Sequence, residues 1–108
     1  MTPRLKIKPG VRLGGLKPEM CVVLDLVPIV FASKGYDCWL TCAVEPREGG
    51  GQHPKGGALD FDSSSYIGTA VGMEIQASVK AYLGGEFGVI WHGPRWHLHV
   101  QHPKPAVS

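Results

Sequence analysis

Fifteen glycines and nine prolines are spread through 108 residues, and these breakers limit how long any regular element of the chain can be. Glycine relaxes the backbone and proline removes a donor, so helices and strands have to fit between them and much of the chain is expected to be loop. Residues 1–17 carry Pro3, Pro9, Gly10, Gly14 and Gly15 and read as an irregular arm. Next, "KPEMCVVLDLVPIVFASKG" has Pro18 at a first helical position, Glu19 where the helix dipole favours an acid, and Gly35 as a stop. It predicts a helix apolar almost all round and lying deep in the core, with a defect at Pro28. "DCWLTCAV" and "ALDFD" have strand composition, and the glycine-rich loop "EPREGGGQHPKGG" separates them. Ile67, Val71, Ile75, Val79 and Leu83 recur every fourth position, which predicts an amphipathic helix ending at Gly84, with Ser63, Ser64 and Ser65 offered as N-caps. "FGVIWH" and "WHLHVQ" form a hairpin around "GPR", and "HPKPAVS" is a loose tail. The expected architecture is α+β: a small antiparallel sheet with two helices packed on one face. One domain over 18–102 is flanked by the arm at 1–17 and the tail at 103–108.

Composition narrows the function. A formal charge of +2, with no run of Lys or Arg interleaved with aromatics, argues against a nucleic-acid partner. "MCVVLDLVPIVFA" is interrupted by Asp25 and Pro28 and falls short of the ~20 apolar residues of a membrane span. No secretory segment is read at the N-terminus, so the expected product is cytoplasmic as synthesised and monomeric. Cys21, Cys38 and Cys42 make an odd number without CxxC spacing, which suits reduced, buried thiols.

Period two in "WHLHVQ" separates Trp96, Leu98 and Val100 from His97, His99 and Gln101. If the first set faces the helices, both histidines face outward, and in "ALDFD" Asp60 turns outward opposite Leu59 and Phe61. His53, on the loop before that strand, could join them. Imidazole and carboxylate are good zinc ligands, and three of them with one open position form the pattern of a catalytic zinc site. Each residue also has a plainer role: His53 as a surface side chain, Asp60 as a turn former, His97 and His99 as solvated groups.

His53-Pro-Lys-Gly56-Gly-Ala58-Leu-Asp60 matches the HxxGxAxD motif of the M15 family of zinc D-Ala-D-Ala peptidases, which includes phage endolysin peptidases. It also resembles the metal site of the Hedgehog signalling domain. "LGGEFGVIWHGPRWHLHV" is similar to the family's closing segment, and the resemblance covers about residues 18 to 102. It implies a Hedgehog/D-Ala-D-Ala peptidase-like fold and one Zn2+ per chain, held by His53, Asp60 and His99, with His97 beside the site. The implied activity is hydrolysis of peptidoglycan peptide bonds, of D-Ala-D-Ala or L-Ala-D-Glu type. A phage-encoded enzyme released to the cell wall by another factor would fit.

The family's catalytic Glu is missing from its place, where this chain has His92. An imidazole can accept a proton near neutral pH, so His92 is the replacement base expected here, with a structural or metal-contacting role as the alternative. Glu86 stands too far back in the strand, while Glu45 and Glu48 on the loop are further candidates. Arg47 suits a substrate carboxylate, as an arginine of this loop does in several relatives, and equally a solvated loop charge. The competing expectation is a catalytically inactive M15-like domain that keeps its zinc for structure or partner binding.

Overall fold

The computed structural model describes residues 3–46, 51–92 and 97–105. Five strands and two helices follow one another as β1 (Leu5–Ile7), α1 (Cys21–Ser33), β2 (Cys38–Cys42), β3 (Ala58–Asp62), α2 (Thr69–Leu83), β4 (Gly88–His92) and β5 (His97–Gln101). The strands form one sheet in the order β1-β2-β3-β5-β4. The α+β expectation holds, with one correction: β1 pairs parallel to β2, so the sheet is mixed, and only the other pairings are antiparallel. The arm is accordingly not wholly irregular, since Leu5–Ile7 borrows its partner from a strand more than thirty residues on. The "GPR" turn and Trp96 lie outside the described residues.

Alternation divides the sheet into two chemistries. Leu40, Leu59, Phe61, Val89, Trp91, Leu98 and Val100 form the apolar face and are buried with Val23, Val27, Val30 and Phe31 of α1 and Ile75 and Val79 of α2. Burying side chains of this size stabilises by about 1.5–3 kcal/mol each. α1 runs through Pro28 after a 3-10 turn at Pro18–Met20, and its burial differs from the expectation. It buries one stripe and leaves Cys21, Val22 and Ile29 exposed, because the sheet and α2 cover only one side of it.

α2 begins later than expected, with Gly68 rather than a serine at its N-cap. The serines are engaged by Asp37: Ser63 and Ser64 donate their hydroxyls to its carboxylate, and the Ser64 amide adds a bond of 2.9 Å. α2 seats on β4 through Gly72, where an added Cβ would lie 2.2 Å from the Trp91 ring. No helix among the described residues is long and apolar enough to cross a membrane.

Candidate metal centre

Cross-strand register builds the centre. Asp60 on β3 pairs with His99 on β5 on one side and with Cys42 on β2 on the other, so the three stand in one row on the polar face. Asp60 and His99 arrive there by simple alternation. Cys42 arrives by a bulge: Leu40 pairs with Phe61, and the next pair is Cys42 with Asp60, which leaves Thr41 as the extra residue. Without that insertion Thr41 would stand opposite Asp60, and Cys42 would share the face of Cys38 and Leu40. The Thr41 hydroxyl instead donates to the Asp60 carbonyl at 3.3 Å.

His53 comes from the loop above the row. The turn at 52–57 is closed by Gly57 N–H to Gln52 O at 2.9 Å and Gly56 N–H to His53 O at 3.1 Å. Gly56 has φ +77°, and a Cβ there would stand 2.0 Å from the Gly15 carbonyl oxygen, so no other residue fits. The N-terminal arm thus presses on the loop directly, and Lys17 N–H donates to Gly56 O at 2.9 Å.

The structure brings the imidazoles of His53 and His99 to the two oxygens of Asp60. His53 Nε2 lies 3.2 Å from Asp60 Oδ2, and His99 Nδ1 lies 2.8 Å from Asp60 Oδ1. The two rings stand edge to face with centroids 5.4 Å apart. His53 is 2% exposed and Asp60 6%, so both lie almost out of solvent, unlike the open polar face expected for them. Burial pushes the Asp60 carboxyl up, but the adjoining His53 and His99 imidazoles more than offset it and hold the group well below the usual carboxylate range.

The remaining ring nitrogens are already committed. His53 Nδ1 lies 2.7 Å from the Ala43 carbonyl, which can only accept, so that nitrogen carries its proton. His99 Nε2 lies 2.8 Å from Gln101 Oε1, and Gln101 Nε2 donates to Pro103 O at 3.0 Å, which fixes the amide's orientation. Neutral rings would therefore turn two lone pairs toward one carboxylate. Positive charge has to lie between them, as a proton on each ring or as a cation shared by all three. His53 Nε2 is buried and makes no well-formed hydrogen bond, its nearest charged neighbour being Asp60 Oδ2 at 3.2 Å, which is compatible with either. Two donors at about 2.0–2.1 Å from a tetrahedral zinc lie about 3.3 Å apart, close to the 3.2 Å between His53 Nε2 and Asp60 Oδ2. Metal-ligating histidines also characteristically donate their second N–H to a carbonyl or carboxylate, the role that Ala43 and Gln101 play here. His53 and Asp60 belong to a donor group that could hold a metal ion, while His99 reaches the centre through the second Asp60 oxygen.

The other candidates are distributed around this centre. His97 pairs with His92 across β4 and β5, with ring centroids 5.0 Å apart, and His92 stands 5.8 Å from His99. Partial burial lowers the His92 pKa, and the imidazoles of His97 and His99 lower it further against the pull of Asp60. Glu45 is tied to the arm, accepting the Arg12 amide at 3.0 Å. Glu86 is exposed. Arg47 and Glu48 lie outside the described residues.

One potential ligand was not foreseen. Cys42 Sγ, a His53 ring nitrogen and an Asp60 carboxylate oxygen all lie within 4.8 Å of one another. Of the three cysteines expected to be buried, only Cys38 is; Cys21 is exposed and Cys42 half-buried beside the histidines. No family model matches the chain, and neither a curated protein nor a solved structure matches it.

Proposed function

We propose that this chain is a zinc-binding domain of M15 type that hydrolyses peptide bonds in peptidoglycan peptides. The observation that carries the reading is the convergence of His53, Asp60 and His99, with the second nitrogen of each imidazole already given to an acceptor. A bound zinc supplies Lewis acidity toward a scissile carbonyl. His92, whose lowered pKa keeps it neutral at pH 7, takes a proton from the attacking water and returns it to the leaving amine. His97, its strand partner, donates to the oxygen on which negative charge develops. Arg47 is assigned to the substrate's carboxylate, and the working unit is a monomer.

A second reading is favoured by a specific observation. His92 stands where the resemblance to M15 peptidases leads one to expect Glu, and a thiol approaches the same carboxylate, so the domain could hold its metal for structure alone. Two measurements separate the readings. Elemental analysis of protein purified without a histidine tag is expected to give one zinc per chain. Incubation with muropeptides is expected to release a new amine detectable by mass spectrometry, at least a hundredfold more slowly with His92→Ala. Zinc without cleavage would leave the structural role; no zinc would remove both.

A further inference from the structure

The polar row of the sheet holds more donors than a three-ligand centre needs. Adjacent strands lie about 4.8 Å apart, so Cys42 and His99 flank Asp60 from opposite sides while His53 covers it from the loop. Donor atoms of Cys42, His53 and Asp60 lie within 4.8 Å of one another, and His99 Nδ1 lies 2.8 Å from the second Asp60 oxygen. We infer that the Cys42 thiolate is a fourth protein ligand, bound beside His53 and Asp60 and added to the His53, Asp60 and His99 set proposed above.

Two independent features support this. The bulge exchanges Thr41 for Cys42 on the polar face, and the next residue, Ala43, supplies the carbonyl that fixes the His53 ring. One local irregularity therefore sets both the thiol and the imidazole. The second feature is His53 Nε2 itself, a buried polar atom that makes no well-formed hydrogen bond, lies 3.2 Å from Asp60 Oδ2 and faces the space bounded by Asp60 and Cys42. A soft sulfur donor beside nitrogen and carboxylate selects zinc over magnesium or calcium.

The inference rests on the reading that this centre binds a metal, and it refines that reading: the resting ion has no permanently open position, so substrate hydrolysis requires Cys42 to be displaced. Cobalt(II) can report the thiolate directly. One equivalent added to the metal-free full chain is expected to give visible bands of four-coordinate intensity together with a sulfur-to-cobalt charge-transfer band in the near ultraviolet. Cys42→Ser should lose the near-ultraviolet band, keep the visible bands, and bind about tenfold or more weakly. Cys21→Ser should retain both. For the unsubstituted chain loaded with zinc, X-ray absorption should find one sulfur at about 2.3 Å among lighter donors at 2.0–2.1 Å. That measurement does not depend on any variant folding. Stoichiometric binding without sulfur coordination, or a charge-transfer band that survives Cys42→Ser, would overturn the fourth ligand and leave the three-ligand centre standing. Failure of the unsubstituted chain to bind either metal would overturn both.

Discussion

Asp60 is held almost out of solvent between two imidazoles, and that enclosure persists only while positive charge faces the carboxylate. Asp60→Asn keeps the volume and removes the charge, so zinc affinity, measured by competition with a chromophoric chelator, is expected to fall at least a hundredfold. The variant's far-ultraviolet dichroism should stay near that of the parent. Asp37 makes the opposite use of a carboxylate. Burial raises its pKa, but hydrogen bonds from Ser63, Ser64 and Trp39 outweigh that and hold it well below the usual range. A group depressed in the folded state stabilises above its unfolded pKa of about 3.9, and that stabilisation disappears as pH falls through the folded value. Asp37→Ala should therefore cost roughly 1.5–3 kcal/mol at pH 7. The gap between variant and parent in thermal melts should close as pH is lowered from about 5 toward 2.

At the scale of elements, strand alternation was legible wherever pairing is regular. "ALDFD" and "HLHVQ" sort their side chains as period two requires, which is why sequence alone assigns Asp60 and His99 to one face. β2 could not be read that way. Its sequence places Cys42 with Cys38 and Leu40, and only the register against β3 reveals the extra residue at Thr41. A bulge belongs to a pair of strands rather than to one, so the composition of β2 carries no sign of it. The serines at 63 and 64 were misassigned for a related reason: a distant carboxylate, Asp37, competes successfully for hydroxyls that local sequence offers to a helix start. Gly72 is another case in which the partner decides, because Trp91 occupies the space of its missing side chain. Gly72→Ala is expected to lose about 1–3 kcal/mol in urea denaturation, as overpacked interiors do, by lifting α2 off β4.

For the molecule as a whole, the candidate metal centre joins β2, β3, β5 and the 52–57 loop, so occupancy by a metal should be felt globally. Zinc at a hundred times its dissociation constant adds about 2.7 kcal/mol. Treatment with a chelator should accordingly lower Tm by roughly 10 °C or more in a domain of this size, and restored zinc should reverse it. The fold class was readable from the breaker pattern, whereas the role of the leading arm was not, since the partners that fix it to the sheet and the loop are remote in sequence. Lys8 N–H bonds to Leu40 O at 3.0 Å, Val44 N–H to Arg12 O at 2.8 Å, and the Gly15 backbone fills the place of a Gly56 side chain. A shortened version starting at Pro18 would retain every donor atom yet lose the brace that holds His53 over the sheet. Anyone trimming the chain for expression or crystallisation should expect such a fragment to scavenge zinc poorly, and should count the leading segment as part of the smallest competent unit.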